Sequence, residues 1–219
     1  NETKRTFQQY DVDVFLGTDN LEIPGGLSLT TFVGMGSNVQ EYDAVSKSGS
    51  DFIVPFLLNV GNTKNQGGGY SYWKKQINSV YGSAELGFGG YAYLTLTARN
   101  DWYSTLSLKD KKSPNNDLYT SASVSLVLSD ALDLGDTVSF LKLRGGFSQV
   151  AGGADSPYAL SLAYGIYGQG HLGASLGSIS GGTIPNSEIT PFEKNETEFG
   201  VDLRMFDNKF SIDATYYDN

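Results

Sequence analysis

The single histidine, His171, lies in the run Gly168-Gln169-Gly170-His171-Leu172-Gly173, whose glycine spacing is that of a dinucleotide-binding loop. Such a loop works only where a strand delivers it to the N-terminus of a helix, whose free N–H groups hold the pyrophosphate. Further Gly and Ser follow here, so no helix opens, and a flexible surface loop is expected. Nor does the spacing indicate a Ser, Asp or second ligand that would turn His171 to general-base or metal chemistry. Asp130, Asp133 and Asp136 recur every third residue and could collect a cation, but the same spacing suits a polar turn, and the turn is the expectation. Asn1-Glu2-Thr3 and Asn195-Glu196-Thr197 match the glycosylation pattern by chance. No catalytic residue, cofactor or metal is assigned, and no enzymatic activity is expected.

Two other groups could act without covalent chemistry. Tyr42, Tyr70, Tyr72, Trp73, Tyr158, Tyr164 and Tyr167 lie in stretches rich in Gly, Ser and Asn, where rings can hold the apolar face of a sugar or peptide. Loop self-packing is the ordinary role of any one such ring. Arg99, Asp101, Lys142, Arg144, Asp202 and Arg204 occupy the polar positions of alternating segments. In a barrel those positions face the lumen, where charges brace the wall or meet cargo. Bracing is the ordinary role of the two.

The elements that must carry these residues are strands. In 118–128, Leu118, Thr120, Ala122, Val124, Leu126 and Leu128 alternate with Tyr119, Ser121, Ser123 and Ser125, a period of two. The same alternation recurs at 91–103, 198–206 and 209–217, with a hairpin turn at Asp207-Asn208, and more weakly at 7–17, 26–36, 77–88 and 139–150. About eight strands result. Their connections alternate, short at 18–25, 89–90, 130–138 and 207–208, long at 37–76, 104–117 and 151–196. Outer-membrane barrels sort their loops in this way, with short periplasmic turns and long extracellular loops. Several segments are also longer than the ~5–6 residues usual in globular strands. Tyr91, Trp102, Tyr103, Tyr119, Phe140, Phe206 and Tyr217 sit near strand ends, where interfacial rings are placed.

The totals bound the alternatives. With 27 Gly, 14 Tyr, 12 Phe and no Cys, the composition favours strands and turns over helices. A net charge of −9 leaves no basic surface for phosphates, which excludes nucleic acid as a partner. No apolar run reaches the ~18 residues of a transmembrane helix, a test to which barrel strands are blind. No charged-then-apolar leader is present, so the start is expected to be mature or truncated. The fold expected is all-β, an antiparallel up-and-down transmembrane β-barrel in which about eight strands form part of a larger wall. Two alternatives stay open: a soluble carbohydrate-binding β-sandwich, and a small closed eight-stranded outer-membrane barrel.

Three stretches carry a family resemblance: NSVYGSAELGFGGYAYLTLTARNDWYSTL (78–106), FLKLRGGFSQVAG (140–152) and GTIPNSEITPFEKNETEFGVDLRMFDNKFSIDATYYDN (182–219). In family order and over roughly half the chain, they resemble the barrel of SusC-like (SusC/RagA) TonB-dependent transporters. One departure is Phe192, inserted between Pro191 and Glu193 where the family reads Pro-Glu-Lys directly. The resemblance implies a segment, 1–219, of a ~22-stranded barrel with a plugged lumen. The plug and the remaining strands would lie elsewhere in a longer protein. It further implies import of glycan or peptide oligomers across the outer membrane of a Gram-negative bacterium. The implied partners are outer-membrane lipid, the TonB complex and a SusD-like surface lipoprotein.

Overall fold

The computed structural model describes residues 1–109 and 112–219, the side chain of Gln169 excepted, so the 104–117 connection falls partly outside the description. Eight strands form one antiparallel sheet that curls into a half-barrel. They are β1 (Glu2–Ile23), β2 (Leu27–Phe52), β3 (Thr63–Phe88), β4 (Ala92–Tyr103), β5 (Asn116–Val127), β6 (Val138–Gly152), β9 (Phe192–Met205) and β10 (Phe210–Asp218). Each of the eight alternating segments seeds one of these strands. Between β6 and β9 the chain leaves the sheet to form a separate hairpin of β7 (Tyr164–His171) and β8 (Ala174–Ile179).

Register fixes which residues share a face, because directly paired residues in a sheet point the same way. One row reads Leu16, Val33, Gly82, Ala98, Thr120, and the next reads Val14, Met35, Val80, Asn100, Leu118. Further along the sheet, Leu94 pairs with Leu86 and Val124, Leu126 with Leu143, Leu143 with Val201, and Val201 with Ala214. One face is therefore an apolar band across all eight strands. The opposite face carries Ser, Thr, Gly, Tyr and charge.

Among the described residues, nothing packs on the apolar band. Leu94, Leu96 and Val124 are 39%, 45% and 44% exposed, and among the described residues only Ala44, Tyr103, Leu106 and Leu160 are buried apolar side chains. A soluble protein of 23.6 kDa would expose ~9,800 Å² by the usual scaling with mass, whereas this chain exposes 15133 Å². The β-sandwich alternative is thereby overturned, since a second sheet would have covered one face. The closed eight-stranded alternative falls too: the sheet order begins at β1 and ends at β10, and these two do not pair.

Two connections differ from expectation. The stretch 37–76 is mostly strand, since β2 and β3 stay paired from Leu27↔Phe88 to Phe52↔Thr63 and only 53–62 connects them. Alternation was weak there because polar residues occupy both faces, as they do when a sheet stands in water on both sides. The Asp133 side chain accepts a hydrogen bond from Gly135 N–H (3.0 Å) in a turn that follows the short helix α1 (Leu128–Ala131). The connections 24–26, 89–91, 128–137 and 206–209 lie at one end of the sheet; those at 53–62 and 153–191, with the described residues 104–109 and 112–115, lie at the other.

Candidate functional site

Arg99, Asp101, Lys142, Arg144, Asp202 and Arg204 all lie on the polar face, as their register with Tyr81, Asp117, Val127, Ser125, Asp213 and Ser211 shows. They form separate braces instead of one cluster. Asp101 is 5% exposed and accepts from Arg99 Nε (2.9 Å), Tyr119 OH (2.7 Å) and Tyr103 OH (3.5 Å). Arg99 also donates to Ser79 Oγ (2.9 Å) and lies over the Tyr81 ring at 5.3 Å. A carboxylate this buried needs several donors, and β4 contributes two of them and β5 one, while Ser79 of β3 accepts from the same arginine.

Arg144 is the second node. From β6 it reaches across β9, donating to Glu198 (3.3 Å), and on to Asp213 (3.1 Å) and Thr215 of β10. Gly200 makes this crossing possible, because a Cβ there would run into the Arg144 side chain. Arg204 bonds Asp202 (3.0 Å) and lies 4.8 Å over the Phe140 ring, while Lys142 pairs in register with Asp202.

The structure adds polar-face residues that had not been singled out. Tyr81 OH donates to Asp13 (2.9 Å), Asn38 bonds Asp11, and Phe15, Phe32 and Tyr81 form edge-on contacts at 6.4 and 6.1 Å. Gly34 leaves room for the Tyr81 ring, which an added Cβ would meet at 2.9 Å. Extending the alternation of 7–17 to its polar positions would have found Asp11 and Asp13. Tyr103, Tyr119 and Tyr217 also belong to the polar face, which corrects their expected place in an interfacial girdle; Trp102 lies on the apolar face.

The seven aromatic candidates are not brought together, and most are in strands instead of loops. Tyr42 and Trp73 pair across β2 and β3 on the polar face and stack at 5.6 Å with 14° between planes; Phe7 and Lys75 flank Trp73 at 6.2 and 5.8 Å. Tyr70 and Tyr72 lie in the same extension but on the opposite face, continuous with the apolar band. There Asp43 holds the Tyr70 hydroxyl, and raises its pKa, through a hydrogen bond; Glu41 does the same to the Lys74 ammonium. Tyr164 and Tyr167 belong to β7, where Tyr167 OH bonds Ser178 Oγ (2.9 Å), and Tyr158 sits in the turn before it with a positive φ of 63°.

His171 ends β7 and pairs with Ala174, so the glycine-spaced run is a hairpin with its turn at Leu172-Gly173, where no helix begins. That corrects the expected loop and removes the geometry a pyrophosphate needs.

No family model matches the sequence, and no curated protein matches it. Solved structures do. The chain superposes on the RagAB peptide transporter with a TM-score of 0.81 at 16% identity, covering 98% of this chain and 23% of that one. The RagAB peptide importer gives 0.81 at 16% identity in its closed-closed state, with the same coverages, and 0.76 at 17% in its open-open state, covering 98% and 24%. The fold is therefore that of a partial antiparallel β-barrel, and the chain spans about a quarter of those chains' length.

Proposed function

We propose that this chain is an arc of the wall of an outer-membrane β-barrel that imports nutrient oligomers, glycans or peptides, by a TonB-dependent route beneath a SusD-like surface lipoprotein. The observation that carries this is the uncovered apolar band running through eight paired strands, backed by a polar face whose charges are braced across strands. An apolar face toward hydrocarbon and a hydrated face toward a lumen satisfy both halves of that pattern. The unpaired edges of β1 and β10 support neighbours on either side, since each unsatisfied backbone group in lipid costs several kcal/mol. The likeness to a peptide importer and the resemblance to SusC-like barrels support the same class.

On this reading the wall does no covalent chemistry. Short turns lie in the periplasm, and the 53–62 and 153–191 connections, with residues 104–109 and 112–115, face outward. Cargo meets the polar face below Tyr42 and Trp73, the turn ring Tyr158 and the β7 rings Tyr164 and Tyr167.

Arginine substitution in the whole protein tests the lipid assignment. Leu96→Arg should destabilise the barrel in lipid by ~2–4 kcal/mol in urea unfolding, because charge at hydrocarbon depth costs that much. Its neighbour Thr97→Arg, on the polar face, loses only the hydroxyl contact with Ser121 and should cost no more than ~1 kcal/mol. Equal effects at the two positions would sink the assignment. Uptake of labelled oligomers that persists after the proton gradient is collapsed would separately reject the TonB-dependent route.

A further inference from the structure

Two contacts tie the 153–191 connection to the connection between β4 and β5. At its start, Gly153 lies against the Tyr103 ring, where an added Cβ would meet Cδ1 and Cγ at 2.7 and 2.8 Å. Only a residue without a side chain lets the backbone come so close. Near its end, the Glu188 carboxylate accepts a hydrogen bond from Ser113 N–H (3.2 Å). Between the ties the chain divides in two. The base, 153–163, carries the buried Leu160, whereas Tyr164, Ile166 and Leu172 of the β7–β8 hairpin are exposed. The hairpin is closed on itself, since Ser180 N–H donates to Ala163 C=O (2.8 Å) beyond the last strand pair, Tyr164↔Ile179. Gly181 and Gly182 follow with positive φ of 75° and 70°, so the chain turns sharply where it leaves the hairpin.

Tyr103 is itself fixed. It is 3% exposed, its N–H donates to Asn115 C=O (2.9 Å), and its C=O accepts from Ser107 Oγ (3.3 Å). Its hydroxyl donates to Asp101 (3.5 Å), the carboxylate that Arg99 and Tyr119 also hold on the polar face. One side of the ring thus belongs to the wall's charge network and the other to the base of the hairpin. A contact between a ring and a backbone is lost when either shifts by about an ångström, because dispersion falls off steeply with distance.

We infer that Tyr103 is a positioning residue for the outward connection: it sets where the 153–163 base leaves the wall, and the β7–β8 hairpin pivots on that base as one unit. Its hydroxyl makes the posture of the hairpin depend on how Asp101 is paired, so the polar face and the outward connection are coupled through one side chain. The inference rests on the wall assignment for the identity of that face as the lumen.

The test uses the whole protein in lipid nanodiscs, with amide hydrogen exchange followed at 153–163, within β7–β8 and in β4. Gly153→Ala should speed exchange at 153–163 about tenfold, the change that ~1.4 kcal/mol of lost contact gives. The paired amides of β7–β8 should keep their protection, and spin labels at Lys47→Cys and Ser175→Cys should report a broader distance distribution, since the hairpin pivots without melting. Tyr103→Phe keeps the ring on Gly153 and loses only the tie to Asp101, and should speed exchange at 153–163 about threefold. Asp101→Ala should do the same, Asp101→Asn less, and Asp101→Ala should add nothing in the Tyr103→Phe background, because both break one link. Base amides unmoved by Gly153→Ala, effects of Asp101→Ala and Tyr103→Phe that multiply, or a hairpin that loses its own protection with the base would each overturn the inference. Unprotected β4 amides in the parent protein in lipid would instead reject the wall assignment.

Discussion

At the residue scale the polar face depends on a few side chains that several strands share. Asp101 takes hydrogen bonds from β4 and β5 and positions the arginine that reaches β3. Asp101→Ala would leave the Tyr119 hydroxyl and the Arg99 guanidinium without their acceptor, and should cost about 2 kcal/mol in urea unfolding in lipid. Asp101→Asn keeps an acceptor oxygen and should lose roughly half as much. Gly200 is the reciprocal case, a residue that matters for what it omits. Gly200→Val would push Arg144 off its route to Asp213, and should cost ~1–3 kcal/mol as overpacking does. If removing the clash by Arg144→Ala did not recover part of that loss, the steric account would be wrong. The charged residues were legible from alternation because period two assigns a face without knowledge of the fold. Their partners were not, since Arg144 meets Glu198 and Asp213 only after β6, β9 and β10 lie side by side.

At the element scale the strands divide into those the sheet needs and those it does not. β7 and β8 pair with each other and with no strand of the large sheet, and Tyr164 and Ile166 stand exposed. Replacing 164–179 with a short Gly-Ser linker should leave barrel stability within ~0.5 kcal/mol of the parent while changing cargo or lid binding. A large loss of thermal stability in detergent would show that the hairpin is a structural part of the wall. This hairpin was invisible in sequence for a physical reason. Neither of its faces is buried, so nothing forces apolar residues to alternate, and its glycines read as loop. The β2–β3 extension was missed on the same ground, whereas its lower half, from Leu27 to Val39, alternates because one face is apolar.

At the scale of the whole molecule, the open sheet exposes a 22-residue edge at β1 and a 9-residue edge at β10, too unequal to close on each other in full. In the complete protein the outward amides of β1 should be protected from hydrogen exchange as strongly as those of β2, because neighbouring strands cover them. Exchange of those amides within seconds, in lipid, would contradict the arc assignment.

Alternation by itself determined the eight strands, their antiparallel neighbours and the split into greasy and polar faces, since a pleated strand turns successive side chains to opposite sides whatever surrounds it. Tertiary structure alone decided the rest. It showed that the greasy face is left uncovered, that the sheet stays open, and that Tyr42 and Trp73 lie on the other face from Tyr70 and Tyr72. Those are facts about what lies across a strand or beyond an edge, and a pattern along one chain holds no record of distance between segments until pairing sets the register.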